Sequence, residues 1–448
     1  MPLEICTIGG FSECGRNCTA IKSDDEVVIL DLGLNMENYV QYTQAHYDDF
    51  VKFDYQDLLS VNAVPNMSLI NDWKDKVKAI VPSHGHLDHI GAIPFIADQF
   101  PNAPIISTPY TNEILTSILR DERIRIPNKL IRQNPNSKYK LSKNITIEFV
   151  YVTHSIPQAV IIVVHTPYGK VVYANDFKFD LNPTLGQKPN FNRLKEISNE
   201  GVKVLLCESL YARYHGKCPS ESIARQMLRD LIRSSDCNGK AIVMTTFASQ
   251  IARIKSMIEI GKKLDRRIVA FGRSLEKYIK AAENVQIVNF TKDLNIYKKR
   301  KDLEKVMRRI NKEGADKYLI ICTGHQGEER AVLSRIVGNE LPLQIKQGDM
   351  VIFSCSVIPV ELNLERRKNL ENRMKKKGIR IFTDVHSSGH GHREDYRELI
   401  EMLKPEHIIP SHCGPEMSHH LIELALEMGY KDKETVHMME NGKRLLLK

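Results

Sequence analysis

The sequence predicts an α/β protein made of a layered sandwich and a second, inserted part built on a mostly parallel sheet. Three observations lead to this fold class. Short apolar strands dominate the first half of the chain, longer strand–helix repeats follow from about residue 220, and histidine clusters stand before and after those repeats. If the two histidine clusters share one site, the block between them is an insertion whose ends lie close together.

Strands in the first part are predicted from short apolar or alternating runs. They are residues 4–8, 26–31, 77–82, 145–152, 160–166, 170–174 and 203–207. Helical periodicity is present at residues 90–99 and 111–123. The polar, tyrosine-bearing segment 34–75 predicts a packed surface loop or, as the alternative, a lid beside the site.

The second part alternates strands with helices, which is typical of a mostly parallel sheet. Its predicted strands are residues 241–245, 267–271, 317–322, 350–353 and 379–382. Its predicted helices are residues 220–234, 248–264, 274–282, 328–337 and 361–377. The histidine-rich chemistry resumes only at His386, after this whole block.

The composition indicates a folded, cytoplasmic protein. The longest apolar run, residues 159–164, is far too short to cross a membrane, and the amino terminus lacks the pattern of a signal peptide. The nine cysteines are scattered and include no Cys-x-x-Cys pair. Neither a disulfide framework nor a thiolate zinc site is therefore expected, and this use of cysteine is consistent with a reducing compartment. No membrane partner is expected.

The net charge of +9 is concentrated in two stretches. Residues 298–317 carry nine basic and four acidic side chains, and residues 361–380 carry eight and three. Each stretch contributes +5, so the rest of the chain sums to about −1. A solvated helix face explains one such run equally well, but two runs in one half of the chain favour a polyanionic partner.

The strongest chemical signal is the run His84-Gly85-His86-Leu87-Asp88-His89, directly after an apolar strand. On an extended backbone, His84 and His86 point to the same side. Asp88 and His89 then stand at the start of a helix, where adjacent side chains diverge towards a second ion. Four N and O donors without a thiolate favour Zn²⁺ or Mn²⁺ in a hydrolytic site.

Polar residues also recur at the ends of other apolar strands. His154, Asp176 and His412 are candidate ligands, and Asp31 is a candidate for orienting a histidine or the metal-bound water. Each alone would more often be a capping or hydrogen-bonded residue. Their recurrence at strand ends makes them one candidate set.

These residues resemble known motifs. Asp31, His84-x-His86-x-Asp88-His89, His154 and Asp176 resemble the four successive motifs of the metallo-β-lactamase superfamily. Glu208, His390 and His412 are similar to the three β-CASP signatures, and residues 9–17 and 323–328 look most like RNase J. The resemblance is to a short, archaeal-type form of the RNase J family, without the carboxy-terminal extension of the bacterial proteins.

The resemblance implies a fold and a cofactor. The fold is a metallo-β-lactamase αββα sandwich in residues 1–209 and 384–448, with an inserted β-CASP domain in residues 210–383. The cofactor is a pair of Zn²⁺ ions, with Mn²⁺ as the alternative. The implied ligands of one ion are His84, His86, His154 and Asp176, and those of the other are Asp88, His89, Asp176 and His412, so Asp176 is the bridge.

The resemblance also implies catalytic residues, which are His390, Glu208, Asp31 and Asp88. His390 would act on the scissile phosphate, while Glu208 raises its pKa and fixes its ring. The backbone amides of Ser388 and Gly389, together with His390, would bind a substrate phosphate.

The substrate that the resemblance implies is single-stranded RNA, degraded by a 5′-to-3′ exoribonuclease that acts on 5′-monophosphate RNA, with added endonuclease activity left open. A homodimer is also left open. Two other functions stay in competition: a small-ester metallohydrolase, which the insertion and the basic runs disfavour, and an inactive nucleic-acid-binding scaffold, which need not retain every ligand.

Overall fold

The computed structural model describes residues 3–45 and 53–447. They form two compact units. The first comprises the residues up to Phe179, Lys188–Cys218 and those from Gly389 onwards, and the second comprises Asp180–Gln187 and Pro219–Ser388. The predicted domain limits, 1–209, 210–383 and 384–448, stay a prediction; the short piece Asp180–Gln187 of the second unit had no signal in the sequence.

The first unit contains two sheets. The first sheet has the strand order β19, β1, β2, β3, β4, β5 and β6, with bounds Lys443–Leu447, Leu3–Gly9, Cys18–Ser23, Glu26–Leu30, Val77–Val81, Ile105–Ser107 and Leu130–Arg132. The second has the order β18, β11, β10, β9, β8 and β7, with bounds His407–Ser411, Val202–Glu208, Gly169–Ala174, Val160–Thr166, Thr146–Tyr151 and Ser137–Lys140.

The run of buried apolar residues in β9 shows how the layers are built. Successive side chains of a strand point to opposite faces, and a strand buried on both faces is apolar throughout. Ile161 and Val163 join a core that also contains residues of the helices over the outer face of the second sheet. Val160 and Ile162 join a core that they share with strands of the first sheet. The two sheets therefore pack face to face, as the predicted sandwich requires.

Helices of the first unit lie mostly between strands. The α-helices are α1 Met36–Ala45, α2 Tyr55–Ser60, α3 Leu87–Ile90, α4 Ile93–Ile96, α5 Pro109–Glu122, α6 Phe191–Asn199, α13 Arg393–Leu403 and α14 Pro415–Glu427. Two 3₁₀ helices span Met67–Lys76 and Ala97–Gln99. The longer 3₁₀ helix packs against β1 and β3 of the first sheet.

The second unit is built on one sheet whose strands are all parallel, as predicted. Its order is β14, β13, β15, β12, β16 and β17, with bounds Leu294–Tyr297, Arg267–Phe271, Tyr318–Cys322, Ile242–Thr245, Met350–Phe353 and Arg380–Phe382. Its helices are α7 Glu221–Ser234, α8 Ile251–Lys263, α9 Arg273–Asn284, α10 Arg300–Glu313, 3₁₀ helix Ala315–Lys317, α11 Val332–Val337 and α12 Glu361–Lys376.

A fully buried arginine ties the second unit together. The guanidinium of Arg253, on α8, forms two contacts of 2.6 and 2.9 Å with the carboxylate of Glu221. It also donates to the backbone oxygens of Ser354, at 2.7 Å, and Val385, at 3.2 Å. A buried charge is tolerated only when it is paired and hydrogen-bonded, so these contacts fix the segment in which the chain leaves this unit.

Several predicted elements differ from the structure. Strands β2, β5, β6, β7, β14 and β19 had not been predicted; most are short or carry exposed polar residues, which weakens the apolar pattern. The predicted helix 90–99 is broken because Gly91 ends α3 and Pro94 stands in the first turn of α4. The predicted helix 328–337 begins only at Val332.

The segment 34–75, predicted as a surface loop or a lid, contains α1, α2 and all but the last residue of the 3₁₀ helix Met67–Lys76 in the part that the structure describes. A simple loop is therefore wrong for this part, and residues 46–52 lie outside the described residues. Within residues 3–45 and 53–447, no helix has the length and apolar character needed to cross a membrane. All nine cysteines are free in the structure.

Gly33 has the least room for a side chain among the described glycines of the first unit. A β-carbon at this position would lie 1.6 Å from the backbone oxygen of Asp88. The Gly33 amide donates to the oxygen of Asn17, whose own amide donates to the same Asp88 oxygen. Two loops thus meet at a glycine that has no room for a side chain.

We therefore expect Gly33→Ala to destabilise the first unit by about 3 kcal/mol, because backbone atoms must move apart. Gly201→Ala is the matched control: its φ is +86° but no atom lies within 4 Å of the added carbon, so only the left-handed strain of about 1 kcal/mol applies. Urea unfolding of metal-free protein, followed by fluorescence of the single, buried Trp73, measures both. Equal losses would show that the close approach does not exist.

Candidate metal centre

Parallel strand pairing brings the polar strand ends to shared sheet edges. In the first sheet, β3 and β4 pair in parallel up to Leu30 and Val81, just before Asp31 and the histidine run. In the second sheet, β10, β11 and β18 are parallel neighbours. Their carboxyl ends lead into Asp176, Glu208 and His412, which explains why residues far apart in sequence share one site.

Three of these strand-end residues have left-handed backbone conformations. The φ angles are +57° for Asp31, +57° for Asp176 and +69° for His412. Non-glycine residues adopt this region rarely, and such strain is commonly retained at functional sites. The sharp turn after each strand aims the side chain across the sheet edge instead of continuing along it.

The first group of donors consists of His84, His86, His154 and Asp176. Nε2 of His84 and Nε2 of His154 lie 3.5 and 3.4 Å from Oδ2 of Asp176. Nδ1 of His86 lies 3.0 Å from Nε2 of His84 and 3.2 Å from Nε2 of His154. Three imidazole nitrogens and one carboxylate oxygen therefore converge on one point.

The second group consists of Asp88, His89, Asp176 and His412. Nε2 of His89 lies 3.3 Å from Oδ2 of Asp176 and 3.5 Å from Oδ2 of Asp88. Nε2 of His412 lies 3.2 Å from Oδ1 of Asp176. Asp176 thus belongs to both groups, and all seven residues predicted as ligands lie together; their roles as ligands stay a prediction.

The other ring nitrogen of four histidines is held by the protein. Nδ1 of His154 lies 2.7 Å from the backbone oxygen of Gly389, and Nδ1 of His89 lies 2.8 Å from Oδ2 of Asp31. Two further contacts of this kind, each 3.0 Å, join Nδ1 of His412 to Oδ1 of Asn17 and Nδ1 of His84 to Oγ of Ser83. Such contacts orient each ring and leave Nε2 directed at Asp176, as in metal-binding histidines.

Burial and charge set the protonation of the rings. Burial lowers the pKa of His84 and of His154 well below the usual range, and it lowers the pKa of His86 to about 4. Burial also disfavours the charged form of His89, but the carboxylates around it, Asp176 first, raise its pKa well above the usual value. The first group therefore presents neutral imidazoles, which is the form that binds metal.

One atom tests directly whether a cation fits here. Oδ1 of Asp176 is buried, and it makes no hydrogen bond to any residue that the structure describes, although Nε2 of His412 lies 3.2 Å from it. Buried polar atoms are normally satisfied, so an orphaned carboxylate oxygen surrounded by nitrogen donors needs a partner. A metal ion supplies one, and the all N and O donor set suits Zn²⁺ or Mn²⁺. The residues present fit a metal cofactor.

A histidine outside both groups lies beside them. Nδ1 of His390 is 2.7 Å from Oε2 of Glu208, and the backbone amide of Phe177 donates to Oε1 of the same buried carboxylate at 2.9 Å. Burial disfavours the charged form of His390, but the carboxylates of Glu208 and Asp176 outweigh it and raise its pKa to about 9. The protonated form of His390 is therefore favoured at neutral pH, and its role as a proton donor stays a prediction.

Gly389 permits the close packing of this segment. A β-carbon there would lie 2.8 Å from the β-carbon of Ser155 and 3.0 Å from Cε1 of His154. Ser388, the third residue predicted to bind phosphate, is the last residue of the second unit. The phosphate-binding roles of Ser388, Gly389 and His390 stay predictions.

Three residues with a place in this network had not been singled out. The backbone amide and hydroxyl of Ser83 contact Asp31 at 2.7 and 3.0 Å, and the hydroxyl of Tyr173 donates to Oδ2 of Asp31 at 2.9 Å. The side-chain amide of Asn17 lies between His412 and His89. Asn17 ends the glycine-rich stretch 9–17, so its position beside a conspicuous motif was the available signal.

Comparison with known families divides the chain into three matched stretches. Residues 12–195 match the metallo-beta-lactamase superfamily. Residues 239–367 match the family described as ribonuclease J, beta-CASP domain. Residues 371–439 match the family described as Zn-dependent metallo-hydrolase RNA specificity domain. The fold class predicted from the sequence is confirmed.

Relatives match along the whole chain. Identity is 43% over 446 residues to the protein named Ribonuclease J from Methanocaldococcus jannaschii, with 99% of both chains covered. It is 40% to Ribonuclease J from Pyrococcus abyssi, with 98% of this chain and 96% of that one covered. It is 33% to Ribonuclease J 1 from Streptococcus pyogenes, which is covered over 74% of its length.

A crystal structure of a protein of unknown function from Enterococcus faecalis has a TM-score of 0.66 at 17% identity, with both chains covered completely, and it shows the shared fold alone. The family matches, the full-length relatives and the clustered His and Asp donors agree with one another. The chain belongs to the ribonuclease J family of metal-dependent, hydrolytic nucleases.

Proposed function

We propose that this protein hydrolyses phosphodiester bonds of single-stranded RNA with two Zn²⁺ ions, Mn²⁺ being the alternative metal. His84, His86 and His154 would hold one ion, Asp88, His89 and His412 the other, and Asp176 both. The observation that carries the proposal is the Asp176 carboxylate, which both groups share: its Oδ2 lies 3.4 Å from Nε2 of His154 and 3.3 Å from Nε2 of His89, and its Oδ1 lies 3.2 Å from Nε2 of His412. The His390–Glu208 pair lies beside it.

Two adjacent metal ions lower the pKa of bound water and neutralise charge on an in-line phosphoryl transition state. The residues around the metal centre determine where the water is activated. Asp31 accepts a hydrogen bond from Nδ1 of His89 while Ser83 and Tyr173 hold the Asp31 carboxylate. Asp31 is therefore a positioning residue, and Asp88 would act as a ligand from the start of α3.

His390 is the proposed proton donor. Because its Nδ1 is bonded to Glu208, Nε2 is the atom that would donate a hydrogen bond or a proton to the leaving oxygen. The Glu208 carboxylate stabilises the imidazolium and holds the ring. The backbone amides of Ser388 and Gly389 would bind a phosphate oxygen in the same step.

The direction of degradation rests on the family resemblance. We propose that the enzyme is a 5′-to-3′ exoribonuclease that acts on 5′-monophosphate RNA and also cuts internally to a smaller extent. A cytoplasmic location and a homodimer likewise stay predictions. An ester hydrolase and an inactive scaffold are the alternatives that an RNA assay must reject.

The decisive experiment uses one RNA sequence with a 5′-monophosphate or a 5′-triphosphate, labelled at either end. We expect the 5′-label to be released at once as mononucleotide, while the 3′-label stays on progressively shorter products, and we expect faster decay of the monophosphate form. Chelator-treated enzyme is the control. Internal fragments formed equally from both substrates would contradict the exonuclease assignment, and turnover of simple esters without RNA cleavage would reject the whole proposal.

Metal content separates ligands from positioning residues. We expect Asp176→Ala to lose both metal ions, because the carboxylate serves both groups. We expect Asp31→Ala to weaken metal binding only by about 10 to 100-fold, as removal of a group behind a ligand does. Elemental analysis after gel filtration at several free-metal concentrations measures both variants. Equal metal loss in the two variants would show that these roles are misassigned.

The pH dependence tests the His390–Glu208 pair. The donor form of His390 exists below its pKa of about 9, so the single-turnover rate should fall as pH rises through that value. Glu208→Gln removes the neighbouring negative charge, so the pKa of His390 falls and the decline moves to lower pH. His390→Ala should lose about 10² to 10⁴-fold in rate while it keeps its metal content. A destabilised His390→Ala protein with a near-normal rate per folded molecule would contradict the assignment.

A further inference from the structure

The basic run 298–317 forms one exposed surface in the second unit. All nine of its cations are exposed: Lys298, Lys299, Arg300, Lys301, Lys305, Arg308, Arg309, Lys312 and Lys317. The helix α10 turns its apolar residues inward, with Leu303, Val306, Met307 and Ile310 buried in the core of the unit. We call the exposed side, residues 298–317, the α10 face.

The second basic run, residues 361–380 on α12 and the following strand, exposes a smaller share of its cations. Only four of its eight cations are exposed, namely Lys368, Arg373, Lys375 and Lys376. Arg367 is buried over the ring of Phe353 and donates to a backbone oxygen at 2.7 Å. Lys377 contacts the side-chain oxygen of Asn339 at 2.7 Å. About half of the positive charge counted in this stretch therefore serves the fold.

Ion pairs on the α10 face involve both of its glutamates and one of its lysines, Lys298, which is paired with Glu276. Glu304 is paired with Arg300 and Arg308, and Glu313 with Arg267 and Arg309. Among the described residues, Lys299, Lys301 and Lys305 form no ion pair. These three ammonium groups are available to an external anion.

A cavity of about 460 Å³ opens where β14 ends and α10 begins. Its charged lining comprises Lys298, Lys299, Lys305 and Arg309 against Glu276 and Asp302. Glu276 is already paired with Lys280 at 2.8 Å and with Lys298 at 2.5 Å. The positive surface therefore has a recess at the carboxyl end of β14.

We propose that the α10 face is an RNA-binding surface of its own, which contacts the phosphate backbone of a strand independently of base sequence; that the polyanion is RNA rests on the proposed function. Residues 298–317 contain no aromatic side chain, and Tyr297 is the one aromatic residue that lines the recess, so the contacts offered by this surface are mainly charged contacts to phosphates. Contacts to phosphates release counterions and give binding a strong salt dependence.

The test removes equal charge from the two basic helices. One variant carries Lys299→Gln, Lys301→Gln and Lys305→Gln, and its matched control carries Lys368→Gln, Lys375→Gln and Lys376→Gln. Glutamine keeps the helix propensity of lysine, and circular dichroism checks the fold. Binding of a labelled homopolymeric RNA is measured in chelator, where cleavage is blocked, over a series of salt concentrations.

We expect the slope of log affinity against log salt to fall by about 2 for the α10 variant, because three contacts contribute about 0.7 each. The α12 variant should keep the slope of the unmodified protein. Equal reductions of the slope in both variants would mean that the net charge of the protein alone determines RNA binding. An unchanged slope in the α10 variant would mean that the face is solvated or binds an acidic protein. Either result overturns the proposal.

The same protein preparations keep this proposal separate from the proposed function. Cleavage by the metal-loaded, unmodified enzyme is measured in parallel. RNA binding that depends on the α10 lysines without any cleavage would reject the nuclease mechanism and retain the α10 face. Cleavage by the unmodified enzyme, together with a salt slope that does not depend on these lysines, would retain the nuclease mechanism and reject the α10 face as an RNA-binding surface.

Discussion

The carboxylate of Asp176 is 2% exposed and lies among the imidazoles of both donor groups. Burial raises the pKa of this carboxyl, but the neighbouring rings, His412 first, bring it well below the usual value. A buried carboxylate costs several kcal/mol unless cations or donors compensate it. The arrangement of the first unit around this residue follows from that requirement. Bringing these donors together is favourable when metal ions bind them and unfavourable when the site is empty. Metal binding is therefore coupled to folding.

The donors come from both sheets of the first unit, so the packing between the sheets sets the distances within the site. His84 follows β4 of the first sheet, whereas Asp176 and His412 follow β10 and β18 of the second. The core shared by the two sheets contains Val81, just before the histidine run, and Tyr173, just before Asp176. Residues that only fill space and residues that carry chemistry are thus neighbours, and small changes in core volume should alter the site.

The second unit uses its positive charges in two distinct ways. Arg253 is buried and satisfied by Glu221 and by backbone oxygens, so its charge serves to hold the segment around Val385 before the chain returns to the first unit. Lys299, Lys301 and Lys305 of the α10 face are exposed and form no ion pair with any described residue. The net charge of the sequence counts all these cations alike. The buried Arg253 has a structural role, whereas the solvated lysines are available for binding.

The sequence alone predicted the fold class, the parallel sheet of the second unit and the residues of the two donor groups, because apolar periodicity and strand-end motifs are local properties; Glu208 and His390 were predicted from the family resemblance. His84, His86, Asp88 and His89 were visible as one run. Their meeting with Asp176 and His412 depends on parallel pairing in two sheets and on left-handed turns, and no local pattern encodes these. Short polar strands such as β6 and β7, the roles of Asn17 and Ser83, and the burial of Arg367 were decided only by the tertiary structure, because each depends on contacts between residues distant in sequence.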